Sequence, residues 1–167
     1  MQEATEKNLR DAFAGESQAH MKYMAFADQA EREKLANVAR FFRAASYSEQ
    51  MHATNHLRAL SGVGKTAQNL EAALGGETFE ITTMYPEYVS LAGQEGEKKA
   101  QGSMEDALAA EKVHAAIYTR AKEAVAGGED VELGKVWVCE HCGYTMEGEA
   151  PDRCPVCNTP KNRFREF

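Results

Sequence analysis

Apolar positions in the first three quarters of the chain recur at alternating three- and four-residue steps, the spacing of one helix face. From Leu9 the stripe runs Leu9, Phe13, Glu16, Ala19, His20, Tyr23, Phe26, Ala27, Ala30. A second runs Val38, Phe42, Ala45, Glu49, His52, His56, Leu60. A third holds Glu77, Glu80, Ile81, Met84, Tyr88 and Leu91, and a fourth holds Met104, Leu108, Glu111, His114, Tyr118, Ala121 and Val125. These patterns predict helices over about 5–33, 37–61, from near 77, and 97–126, with Gly62 and Gly127-Gly128 as stops. The first helix has a polar face of Glu6, Lys7, Arg10, Asp28, Glu31 and Arg32, and it should form an antiparallel hairpin with the second. Residues 62–76, with glycines at 62, 64, 75 and 76, read as a crossover connector with room for a short helix at 67–74. Pro86 removes one helical N–H and frees the Thr82 carbonyl, so a kink one turn beyond Glu77 and Glu80 is expected.

In every stripe, glutamate or histidine stands at steps where Leu or Phe belongs. Burying an unpaired carboxylate costs several kcal/mol or forces it to neutralise. No basic residue shares these stripes, so ion pairing does not resolve the cost. Inward carboxylates on several helices need a shared positive charge, and a pair of divalent ions would supply it. The pattern also repeats. Glu49-Gln50-Met51-His52 and Glu111-Lys112-Val113-His114 each place a carboxylate and an imidazole one turn apart on one face. Glu16 precedes the first motif by 33 residues and Glu77 precedes the second by 34. Two lone glutamates plus two Glu-x-x-His motifs form the ligand set of di-iron carboxylate bundles. Glu80 adds a further carboxylate one turn after Glu77. His20 and His56, one turn from the ligand face, read as hydrogen-bonding residues beside it. The methionines at 21, 24, 51, 84 and 104 read as packing.

The net charge of −7 argues against nonspecific nucleic-acid binding. No apolar run reaches the length of a membrane span, and the first residues lack the basic and apolar regions of a secretory signal. Ala59 to Thr66, A-L-S-G-V-G-K-T, approaches a phosphate-binding loop. That loop needs a preceding strand, and here a long helix precedes it.

Beyond a linker at 127–134 the composition changes, with prolines at 151, 155 and 160 and all four cysteines between 139 and 157. Lys135 to Val138 reads as a short strand leading into Cys139-x-x-Cys142, and Cys154-Pro155-x-Cys157 follows after an eleven-residue spacer. Two such knuckles offer four thiolates to one tetrahedral ion in a reducing compartment, here the cytoplasm. Zinc and iron both suit tetrahedral sulfur. The segment is too small to hold itself folded without a metal. His141, between the cysteines, should face solvent.

Cys-x-x-Cys-Gly-Tyr and Cys-Pro-x-Cys, with Trp137, Tyr144, Phe164 and Phe167 nearby, look like rubredoxin. Together with Glu16, Glu49-x-x-His52, Glu77-x-x-Glu80 before Met84-Tyr85-Pro86, and Glu111-x-x-His114, they make the whole chain resemble the rubrerythrin family. The resemblance implies a mainly α fold: a ferritin-like four-helix bundle over 1–130 with one long crossover, then a rubredoxin-like Fe(Cys)4 domain over 135–167. It implies that Glu49 and Glu111 bridge two non-haem irons, that Glu16 is terminal on one, and that Glu77 and His114 complete the other. Glu80 and His52 would alternate on the first iron with redox state, and Tyr23 and Tyr85 would hydrogen-bond to ligand carboxylates. Cys139, Cys142, Cys154 and Cys157 would hold the single iron. The implied activity is reduction of hydrogen peroxide to water in oxidative-stress defence. Electrons would pass one at a time through the Fe(Cys)4 centre from rubredoxin or an NAD(P)H-dependent reductase, in a homodimer in which exchange of helix pairs is open. Two other functions remain on the residues alone. One is ferritin-like Fe(II) oxidation by dioxygen, for which the cysteine domain has no evident use. The other is a binding module with zinc in the knuckles, for which the inward carboxylates have none.

Overall fold

The computed structural model describes residues 1–167. Helix α1 spans Glu3–Arg32 and α2 spans Ala36–Ala59. After a loop, α3 spans Thr66–Phe79, a π-helical turn spans Glu80–Met84, α4 spans Tyr85–Glu95, and α5 spans Lys98–Ala126. Strands β1 (Val136–Cys139), β2 (Thr145–Glu147) and β3 (Phe164–Glu166) follow. No helix is long and apolar enough to cross a membrane.

The chain divides into two compact units, Met1–Gly64 and Lys65–Phe167. The first is the α1–α2 hairpin. The chain reverses through Lys34 at φ 62°, whose N–H bonds to the Glu31 carbonyl. Small residues line the helix contact: Ala27, Ala30, Ala39, Ser46 and Ala53 are buried. Tyr23, Phe26 and Phe42 pack together, with ring centroids 5.6–6.2 Å apart. Ser46 and His20 pin the middle of the hairpin. The Ser46 hydroxyl donates to the His20 carbonyl (2.9 Å), which leaves its oxygen to accept from His20 Nδ1–H at 2.8 Å. The same Nδ1–H lies 2.9 Å from the Ser46 carbonyl.

In the second unit, α3, the π turn and α4 form one continuous helical rod packed antiparallel on α5. The third helix therefore begins at Thr66 and not near Glu77. Gly75 and Gly76, taken as connector, lie inside it with helical backbone. The Lys65 N–H bonds the Gln68 side chain at the helix start (2.9 Å), a capping contact that fixes the start of α3 well before the glycines. The disruption expected from Pro86 takes the form of the π turn, and it begins at Glu80 rather than a turn beyond it. The Tyr85 N–H reaches back five residues to the Glu80 carbonyl. Proline supplies no N–H to the Thr82 carbonyl, and widening the preceding turn absorbs the missing bond.

The strands form one antiparallel sheet in the order β2-β1-β3. Cys139, Ala150, Cys154 and Phe164 are its buried core, flanked by Trp137, Tyr144, Met146 and Val156. Two of these four core residues are cysteines. Gly143 sits at φ 79°, a left-handed turn that lets its N–H bond the Cys139 carbonyl (2.9 Å) inside the first knuckle.

Candidate metal centres

The hairpin brings Glu16, Glu49 and His52 together, their ligand atoms within 4.8 Å of one another. His52 Nδ1 lies 2.8 Å from Glu49 Oε2, the contact that an i, i+3 pair on one helix face makes available. Glu16 reaches the group from α1. His52 is the most open of the three, with its side chain 52% exposed.

The second unit repeats the arrangement. Glu77, Glu111 and His114 bring their ligand atoms within the same 4.8 Å limit. His114 Nδ1 lies 2.7 Å from Glu111 Oε2 and 3.7 Å from Glu77 Oε1. Glu77 Oε2 is buried and has no hydrogen-bond partner. Burial, then the Glu111 carboxyl beside it, push the Glu77 pKa from 4.5 up to about 7. Two carboxyl groups, one of them with an orphaned buried oxygen, and an imidazole nitrogen that converge with no lysine or arginine among them fit a cation.

Glu80, at the start of the π turn, stands outside this triad. Its pKa is raised by burial and then by the Glu111 charge, and His114 partly offsets the rise. Tyr85 is half-buried, and its pKa rises through burial and then the charges of Glu80, Glu111 and Glu77. Tyr23 packs on Phe26 and Phe42 in the hairpin. His20 is held by Ser46, and His141 is exposed.

The four cysteines are free thiols whose sulfurs converge within 4.8 Å. Cys139 Sγ and Cys157 Sγ are 3.7 Å apart, and Cys142 Sγ and Cys154 Sγ are 3.6 Å apart. A disulfide would bring sulfurs to ~2.05 Å. Four sulfurs placed ~2.3 Å from a central ion would stand about 3.8 Å apart, close to what is seen. Desolvation drives the Cys142 thiol above the ordinary range. Desolvation opposes ionisation of Cys157 too, but the hydroxyl and backbone N–H of Thr159 and the neighbouring thiols bring it down to about 6. Without a cation the cluster resists becoming four thiolates, and a metal removes that obstacle.

Two features of this region have no signal in the sequence. Thr145 is buried, and its hydroxyl lies 2.8 Å from His114 Nε2. Arg120 of α5 pairs with Glu147 of β2. Both contacts join residues about thirty positions apart, and neither residue type marks itself as a partner.

The geometry agrees with comparison to known proteins. Residues 7–122 match the rubrerythrin family and residues 137–165 match the rubredoxin-like domain of rubrerythrin. Rubrerythrin-2 of Clostridium acetobutylicum is 36% identical over 95% of this chain and 94% of its own length. Nigerythrin of Nitratidesulfovibrio vulgaris is 33% identical over 98% of this chain and 87% of its own. A solved structure of fully reduced, all-ferrous nigerythrin is 32% identical, with a TM-score of 0.55 and coverage of 98% of this chain and 86% of that one. On its two motif-bearing helical units, its four-sulfur cluster and these matches, the chain belongs to the rubrerythrin family, with a ferritin-like domain and a C-terminal rubredoxin-like domain.

Proposed function

We propose that the protein is a non-haem di-iron peroxidase that reduces hydrogen peroxide to two waters, with electrons relayed through iron held by the four cysteines. The observation that carries this is the pairing of functions on one chain. Two Glu-Glu-His triads fit redox-active divalent ions, and the domain that carries the four sulfurs hydrogen-bonds to the histidine of one of them through Thr145. An iron store has no need of an electron-input module wired to its oxidation site.

In this reading each triad holds one iron, and iron when bound supplies the electrons that cleave the peroxide O–O bond. The residues do the rest. Glu16, Glu49, Glu77 and Glu111 balance the charge of two ferrous ions. Glu80 would add a fifth carboxylate that favours the ferric state, and His52 would be the neutral ligand that alternates with it. The openness of His52 suits such a movement. We assign Tyr85, whose pKa rises through burial and the charges of Glu80, Glu111 and Glu77, and Tyr23 of the hairpin as the tyrosines that would hydrogen-bond to ligand carboxylates. We assign the electron donor as rubredoxin or an NAD(P)H-dependent reductase, the assembly as a homodimer, and the location as the cytoplasm, where four free thiols persist.

The test is anaerobic reduction followed by mixing with one equivalent of hydrogen peroxide or of dioxygen. Ferric iron in the cysteine site is coloured and reports electron flow out of it. Fast bleaching reversal by peroxide and slow reversal by dioxygen is the expected result. The opposite preference would make the protein a ferroxidase, and no colour under either oxidant would put zinc in the knuckles.

A further inference from the structure

One hydroxyl touches both metal-site domains of the second unit. Thr145, 6% exposed, pairs with Val138 across β1 and β2. Its hydroxyl donates to the carbonyl of Gly143 (3.2 Å), the residue after Cys142. With that hydrogen committed, the 2.8 Å contact to His114 is donated by the imidazole Nε2–H. Nδ1 is then the nitrogen turned to Glu111 (2.7 Å) and Glu77 (3.7 Å). Two residues along β2, on the same strand face, Glu147 accepts from Arg120 of α5 and from the Gly134 N–H (3.0 Å). Thr145 and Glu147 together seat the cysteine domain on α5.

We propose that Thr145 is a positioning residue that couples metal occupancy of the Glu77–Glu111–His114 triad to docking of the cysteine domain on α5. A metal on Nδ1 obliges a neutral imidazole to carry its proton on Nε2, and that proton is the donor which docking uses. Docking in turn holds the ring with Nδ1 toward the carboxylates. The coupling is reciprocal: the factor by which the Thr145 contact tightens metal binding equals the factor by which metal tightens docking. The proposal rests on the triad holding a metal.

The test uses the full chain with zinc in the cysteine site and the carboxylate–histidine sites emptied. Zinc, which has no redox chemistry, is titrated back against a competing chelator, and protease cleavage of the exposed linker at 127–134 is followed with and without it. In the wild type zinc should slow linker cleavage. Thr145→Val should weaken one zinc site per chain by about 10–100-fold and remove that protection, and Thr145→Ser should keep affinity within about threefold of wild type. Unchanged Trp137 fluorescence in the valine variant establishes that its cysteine domain is folded. Wild-type affinity in Thr145→Val, or equal loss in Thr145→Ser, overturns the proposal. If the valine variant does not fold, the wild type decides alone: linker cleavage indifferent to zinc also overturns it. A wild-type chain that takes up no zinc at the triad removes the metal reading itself, a different failure from an intact triad indifferent to Thr145.

Discussion

Glu77 carries the sharpest conflict between stability and function in the second unit. Its carboxyl is pushed to about 7 by burial and by Glu111, against an ordinary 4.5. In the metal-free chain the folded state keeps a proton that the unfolded state has released once the pH passes 4.5. The stability this contributes is present below about 4.5, is lost as the pH rises to about 7, and does not change further above it. Metal binding has the opposite sign, because the ion must displace that proton. Affinity at this triad should fall as the pH drops below about 7, by up to about tenfold per unit for one proton displaced, and level off above it. Zinc titrations between pH 5.5 and 8 check this. Glu77→Gln should remove both trends, raising the melting temperature of the metal-free protein at pH 8 while abolishing metal binding at the triad. A variant that melts lower at pH 8 without metal would show that Glu77 is satisfied as it stands. Ser46 makes the quieter residue-scale case. It is fully buried and its hydroxyl is shared between two His20 atoms, so Ser46→Ala should cost about 1 kcal/mol in urea unfolding. No change would mean that water or the Ser46 carbonyl replaces the bond.

At the scale of elements, the third helix is where sequence and structure part. The apolar stripe begins at Glu77, so the periodicity places the helix start there, and four glycines upstream read as a break. The structure winds the helix from Thr66, through a segment with no pronounced apolar face. A stripe marks a helix only where an apolar face contrasts with a polar one, and the upstream part of α3 packs on α5 without that contrast. A Cβ built on Gly75 or Gly76 meets nothing within 4 Å. Gly75→Ala should therefore stabilise the protein by about 0.5–1 kcal/mol, measured by urea unfolding. Destabilisation would restore the connector reading. The other elements were legible because their signals are local: three-four spacing for α1, α2 and α5, and Cys-x-x-Cys for the knuckles. The triads were legible for the same reason, since i, i+3 pairs share a helix face wherever the helix goes. What periodicity does not carry is the form of the Pro86 disruption or any contact between distant segments. The π turn at Glu80, the His20–Ser46 pin and the Thr145–His114 bond each depend on what packs opposite.

For the molecule as a whole, the question is whether its metal sites stabilise one structure or separate pieces of it. The cysteine domain has a minimal core, and two of its four buried core residues are the thiol side chains of Cys139 and Cys154. Its metal is then part of its core, and removing it leaves three short strands with too little apolar surface to hold together. The helices differ, since α1, α2 and α5 are 24–30 residues long and pack along their lengths. The chain's one tryptophan, Trp137, lies in the cysteine domain, with its Nε1–H donated to the Gly148 carbonyl at 2.9 Å. Its fluorescence therefore reports that domain alone, while far-ultraviolet circular dichroism is dominated by the helices. Cys154→Ser, or removal of the metal from the cysteine site by a strong chelator, should shift Trp137 emission to the red and leave the helical signal largely in place. The contacts crossing to α5 are Thr145 to His114 and Glu147 to Arg120, one hydrogen bond and one partly exposed ion pair. Such contacts are worth about 1 kcal/mol each, enough to seat a folded domain but too little to bring down the helices when it unfolds. If helical ellipticity fell in step with Trp137 emission, the cysteine domain would be holding α3, α4 and α5 together, and the two contacts would be the first places to look for the missing energy.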